Sequence, residues 1–354
     1  MTSPAPHYAA PHAGPHSPWR RVLGLGIALA GLVAVVVLAF SWPGVASEPR
    51  DLPLVVAGPE AQVIQLEAGL DERADGLFEV TVVDDREAAV AAIETRAAYG
   101  AIVIGQEPDV LTSSAASPIV AQQLAGLATV LQAQLQSAAA AQVPAGVTPP
   151  VITVTVTDVV PLAEADPRGS GLVAAAFPLV LGGMIGGIAI TIGLVGALRR
   201  LVALGVYAVV GGLALAGILQ GWFGVLQGSL VLNAAVFTAA LLAIGAPIVG
   251  FAALVGRAGV AIGPVLFLLI ANPISAAAQP VEFLPAPWGA VGQWFPPGAA
   301  ATLIRDTSYF PASDTAFPWL VLGGWAAVGI LLALVGHVRA TGGATEGVLE
   351  AAAA

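Results

Sequence analysis

The residues best placed to do chemistry lie in one proline-broken stretch, 279–315. Pro280, Pro285, Pro287, Pro296, Pro297 and Pro311 divide it into short pieces, with Trp288, Trp294 and Phe295 among them and Glu282, Arg305, Asp306 and Asp314 as its charges. Tryptophan favours the headgroup level of a bilayer, so the stretch predicts an interfacial or re-entrant hairpin closing over a membrane body. Arg305 has two readings here. Its guanidinium could meet a lipid phosphate, which it matches well, or form a local pair with Glu282 or Asp306. Just upstream, Pro273 follows Asn272, frees a backbone carbonyl and predicts a helix break. Asn272, Glu282, Trp288, Trp294, Arg305 and Asp306 are therefore the candidates for substrate contact or gating.

Catalytic constellations are not found elsewhere. A phosphate loop needs a lysine, and the chain has none; all twelve basic residues are arginines. A metalloprotease helix needs paired histidines, yet the single histidine outside the first nineteen residues is His337. The nucleophile-elbow pattern is absent. The acid pair Asp84 and Asp85 could be read as glycosidase chemistry, but capping a helix is the simpler role. The acids upstream of residue 168 match no calcium-loop spacing. His7, His12 and His16 sit in a proline-dense tail without cysteine or acid partners. No catalytic residue, metal, cofactor or nucleic acid is expected.

The elements that must carry the hairpin are apolar. Hydrophobic residues make up 57% of the chain and charged residues 10%, against about 25% charged in soluble domains. Six uncharged runs approach or exceed the roughly 20 residues needed to cross a bilayer: 22–42, 171–198, 201–222, 230–255, 258–278 and 316–335. The first is longer than a signal-peptide core and reads as an anchor. Arg20, Arg21, Arg199, Arg200, Arg257 and Arg339 stand at the ends of these runs. With six spans and both termini in the cytoplasm, all six fall on one side, as the positive-inside rule requires. The expected division is a disordered cytoplasmic tail (1–19), a first transmembrane helix (20–42) and an extracytoplasmic domain (43–168). A five-helix membrane domain (169–339) follows, carrying the hairpin at 279–315 on its external side, then a cytoplasmic tail (340–354). The fold class is thus an α-helical integral membrane protein of the plasma membrane with a small α/β domain inserted between helices 1 and 2.

The inserted segment holds 17 of the 22 acids and five arginines, a formal charge of −12. Its pattern alternates. Strands are predicted over 52–57, 77–83, 100–104 and 151–159, from β-branched runs and period-two spacing. Helices are predicted over 60–74, 86–98 and 118–141, the second with Asp84 or Asp85 as its cap, and 144–150 is a linker. Strands alternating with helices imply parallel pairing in a layered α/β domain.

The stretch 84–104 (DDREAAVAAIETRAAYGAIVI) resembles the external domain of type-2 ABC transporter membrane proteins, particularly the branch that includes the phage-infection-protein (YhgE/Pip) group. Asn272-Pro273-Ile274-Ser275, Pro285-Ala286-Pro287-Trp288, Pro296-Pro297-Gly298-Ala299-Ala300 and Arg305-Asp306-Thr307-Ser308-Tyr309-Phe310 are similar to that branch too. So is the layout of one span, a large external domain and five more spans. The resemblance covers about 20–340. It implies the membrane subunit of an exporter, working as a homodimer or heterodimer with a separate ATPase on a hydrophobic or cell-envelope substrate, or a surface protein derived from one.

The sequence departs from that family at the cytoplasmic face. The tail before Arg20 is proline-broken, and little beyond Arg199 and Arg200 separates the second and third spans, although 193–204 could supply a short interfacial helix. That thin platform favours the alternative, a non-transporting surface protein whose external domain binds a partner, a phage or a secretion apparatus. The six runs hold no acid or base, which argues against proton coupling through intramembrane carboxylates. Gly182, Gly183, Gly186 and Gly187, and separately Gly259 and Gly263, form small-residue patterns that let helices approach closely. They suit either a dimer interface or packing within one chain.

Overall fold

A computed structural model describes residues 17–73, 76–144 and 148–353. The expected disordered tail, with its three histidines, falls outside them except at its end, where the first helix begins. Among the described residues, five helices are long and apolar enough to cross a membrane: Trp19–Val45, Ser170–Gly193, Ala197–Trp222, Leu230–Ala261 and Ala316–Arg339. This is consistent with a helical membrane protein.

In chain order, α1 is Trp19–Val45, and a five-stranded sheet with its helices follows. Its elements are β1 (Leu52–Ala57), α2 (Glu60–Arg73), β2 (Phe78–Val83), α3 (Arg86–Glu94), β3 (Gly100–Val103), β4 (Asp109–Thr112), α4 (Pro118–Gln142) and β5 (Thr155–Asp158). The strand order is β2-β1-β3-β4-β5. Parallel pairing holds for β1 with β2 and β3, and for β4 with β5, whereas β3 and β4 are antiparallel. The sequence reading lacks β4, because its four residues carry too short a pattern to register. Side chains on β1 alternate between two cores, as strand geometry demands. Leu52, Leu54 and Val56 pack under α2 and α4, while Val55 packs with Ala89 and Ile93 of α3.

The helical body comprises α5 (Ser170–Gly193), α6 (Ala197–Ala216) with a π-turn at Gly217–Trp222, α7 (Leu230–Val255), α8 (Trp288–Gly292), α9 (Pro296–Tyr309) and α10 (Ala316–Ala353). Helix α7 is central and touches α5, α6, α9 and α10. Two expectations change here. The interfacial helix allowed over 193–204 is not separate: α5 stops at Gly193, and Arg199 and Arg200 already belong to α6. The run 258–278 forms no single α-helix. Gly256, at φ 75, ends α7, then a 3-10 turn (Gly256–Ala261) and a π-helical stretch (Pro264–Ala271) follow. Asn272 caps that stretch, with its N–H on the Phe267 carbonyl at 3.0 Å. The glycines there lower helix propensity, and Pro264 and Pro273 each remove a backbone donor. At the other end, α10 continues to Ala353.

Candidate functional site

Helix α9 does not lie over the bundle as a surface hairpin; it is packed into one end of it. Leu303, Ile304, Thr307 and Ser308 are buried, and α9 contacts α5, α7 and α10. Its start is held at Trp325, whose Nε1 donates to the Trp294 carbonyl at 2.8 Å and whose ring packs on Phe295 and Phe267. Trp325 lies nine residues into α10 from Ala316, about 14 Å at 1.5 Å per residue. The far end of α9 meets the start of α7. Thr307 Oγ1 donates to Asn233 Oδ1 at 2.9 Å, and Asn233 Nδ2 donates to Gln220 Oε1 and the Gln227 carbonyl, both at 2.9 Å. The segment thus dips into the bundle and returns, and Asn233 is a buried polar residue that finds all its partners, as burial requires.

The two tryptophans sit at the rim. Trp288 packs edge-to-face on Trp42 at the end of α1, and Trp294 does the same on Phe317 at the start of α10, with centroids 6.2 and 5.0 Å apart. Both stay largely exposed, at 43% and 64%. Gln293 Nε2 donates to the Ser275 carbonyl at 3.1 Å, and Ser275 Oγ donates to that of Asn272 at 2.7 Å, tying the break at Asn272 to the hairpin.

The sheet layer grips this hairpin. Helix α3 stops earlier than the sequence implies: Thr95 caps it and Arg96 takes a left-handed conformation, φ 59. That conformation is uncommon for a non-glycine residue and costs energy. It follows a helix end of a familiar kind, and the Arg96 guanidinium donates to the Asp306 carboxylate on α9. Three residues on, the Tyr99 hydroxyl donates to Glu282 Oε2 at 2.8 Å. Burial, reinforced by Glu282, pushes the Tyr99 phenol up, so it remains a neutral donor. Burial also raises the Asp306 carboxyl above its ordinary value, against the pull of Arg96. The two layers interdigitate besides: Phe283 of the hairpin packs with Leu54 and Val120 of the sheet layer, while Ala115 and Ala116 join the helical core.

Arg305 therefore pairs with neither expected acid, because Asp306 is taken by Arg96 and Glu282 by Tyr99. Its Nε is enclosed without a partner. Burial and the nearby Arg96 charge push its guanidinium down to about 10, still cationic at neutral pH. It borders two cavities. One, about 340 Å³, lies in the seam with Arg96, Tyr99, Glu282, Gln293 and Asp306. The other, about 310 Å³, lies between the starts of α4 and α5.

The glycine patterns pack inside the chain. Gly183 faces Ile244, Gly186 faces the Tyr207 ring, Gly187 faces Gly245, and Gly182 lies in ordinary contact with Tyr207 and Leu241. Gly259 meets the Phe251 backbone and Gly263 meets Ile248. Asp84 and Asp85 divide as a cap would have it, with Asp85 accepting the Ala88 N–H at 2.9 Å.

No protein-family model, curated protein or solved structure matches the chain. The site consequently rests on geometry. It unites Glu282, Arg305 and Asp306 with Arg96 and Tyr99, which sequence reasoning missed. Both lie inside 84–104, but a helix drawn to residue 98 gives Arg96 no reason to turn toward α9.

Proposed function

We propose that this chain is the membrane subunit of an exporter-like system, moving a hydrophobic or cell-envelope substrate and energised by a separate ATPase. One observation carries the reading: a re-entrant segment built into the helical body is also ion-paired to the sheet layer through Arg96 and Asp306. Any shift of α7 or α10 is then transmitted to α9 and onward to that layer, the linkage an alternating gate requires. The chain crosses the bilayer six times in this reading, the apolar run 258–278 serving as the fifth crossing. The sheet layer stands outside and both termini inside, because this arrangement collects the flanking arginines on one face. A homodimer or heterodimer would complete the path. The test is export of an apolar dye or envelope precursor by cells lacking the chain, complemented with wild type, Arg96→Asp, Asp306→Arg or the double exchange at matched membrane levels. Lost export in each single variant and recovery in the double exchange supports the coupling; full export in all three defeats it.

A second reading, a non-transporting surface protein whose sheet layer binds a partner, has its own support. Three residues, 194–196, connect α5 to α6, and no separate helix there offers an ATPase a grip. Purification from native membranes separates the two, since the first requires an ATPase to accompany the chain.

A further inference from the structure

The cavity between the starts of α4 and α5 has the composition of an anion site. Two arginines border it, Arg305 from α9 and Arg168 from the turn before α5, and no acidic side chain lines it. Among the described residues Arg305 has neither a hydrogen bond nor an ion pair. A guanidinium carries five donors, and leaving a largely enclosed one unpartnered is costly. The nearest carboxylate on the α5 side is already committed. Asp166 accepts from Ser170 Oγ and from the N–H groups of Gly171 and Leu172, at 3.1, 2.8 and 3.2 Å, so it caps α5 from within and offers the arginines nothing. Ser117, 4% exposed, accepts the Val120 N–H and keeps its hydroxyl proton for a further acceptor in the cavity. The positive-φ Gly169, at φ 67, lets the two helix starts approach, with a side chain there meeting Pro118 at 3.3 Å. Gln279 and Ser170 add polar groups to the wall, and its α5 side is apolar, formed by Leu172 and Val173 of a candidate membrane span.

We infer that this cavity binds the phosphate of an anionic amphiphile, with Arg305 and Arg168 on the phosphate oxygens and the apolar tail running along α5. A guanidinium fork matches the oxygens of a phosphate two at a time, and phosphate offers enough oxygens for two such forks at once. The tail direction follows from the wall, because α5 continues from the cavity into the bundle's lipid-facing surface, where Ile185 and Ile192 are exposed. This goes beyond the exporter reading: binding there needs no transport.

The test uses the full chain in phosphatidylcholine nanodiscs with and without phosphatidylglycerol, read by native mass spectrometry of retained lipid. Wild type should retain phosphatidylglycerol. Arg305→Gln should weaken retention about tenfold, the loss expected for one charge-assisted contact. Arg168 is exposed, so Arg168→Gln does not threaten folding and should also weaken retention, while Arg305→Lys should keep part of it. Inorganic phosphate serves as a second arm. A rise in Tm with phosphate in phosphatidylcholine discs, absent in Arg305→Gln, would assign the site to free phosphate as the source of the same chemistry. Equal phosphatidylglycerol retention by wild type, Arg305→Gln and Arg168→Gln, with no phosphate effect, overturns the site. Because no cargo is moved, a failure here leaves the export assay untouched, and the reverse also holds.

Discussion

Arg96 reaches across 210 residues of chain to hold Asp306, joining a helix end of the sheet layer to a helix packed into the helical body. Asp306 is almost wholly buried and Arg96 largely so. Arg305 stands beside the pair without a partner of its own. One carboxylate is thus bonded to one guanidinium and within electrostatic reach of a second, an asymmetry with consequences for mutation.

Losing the acid should cost more than losing the base. Asp306→Asn leaves Arg96 and Arg305 facing each other, and unpaired buried charge typically costs about 3–5 kcal/mol. In Arg96→Gln, Arg305 can turn to the same carboxylate, limiting the loss to about 1–3 kcal/mol. Thermal unfolding of the purified variants, with the double variant completing a cycle, measures the difference. Equal losses would mean that Arg305 cannot substitute.

Orientation can be read with single cysteines, since the native chain has none. Gln106, in the exposed turn between β3 and β4, and Val195, 84% exposed between α5 and α6, are suitable positions. A cysteine at Gln106 should react with membrane-impermeant maleimide in intact cells, and one at Val195 only after permeabilisation. The opposite pattern inverts the topology.

Helix packing is tested at Gly186. An added Cβ would lie 2.6 Å from Tyr207 Cζ, and that ring is fixed by its hydroxyl donating to the Gly182 carbonyl at 2.7 Å. Overpacking of this kind costs about 1–3 kcal/mol, so Gly186→Ala should lower Tm without altering the oligomeric state. A change of oligomer at unchanged Tm would instead place this glycine face between subunits.

The rim tryptophans should matter for activity more than for folding. Replacing Trp288 and Trp294 with alanine removes two edge-to-face contacts worth about 0.5–1.5 kcal/mol each. It leaves the backbone bond from Trp325 in place. Insertion should persist and export should fall; full export by the double variant would make the rim a passive connection.

Several features follow from local pattern alone. Five of the six apolar runs became long helices, because a span needs length and the absence of charge, whereas 258–278 did not, since its glycines and prolines interrupt the helix. Period-two and helical spacing located β1, β2, β3, α2 and α4, and Asp85 capped α3 as its residue type suggests. Asn272 and Pro273 ended the helix before them, since proline acts on its own neighbours. The sequence could not place α9. A proline-bounded segment with Arg305 and Asp306 reads equally well at a membrane surface or inside a bundle, and burial depends on which helices surround it. Nor could it assign partners among the charges. Asp306 sits beside Arg305 in the chain but points to Arg96 in space, because consecutive helical residues diverge by about 100°. Only the tertiary structure, through the early end of α3 and the left-handed turn at Arg96, decided which arginine was paired and which was left facing a cavity.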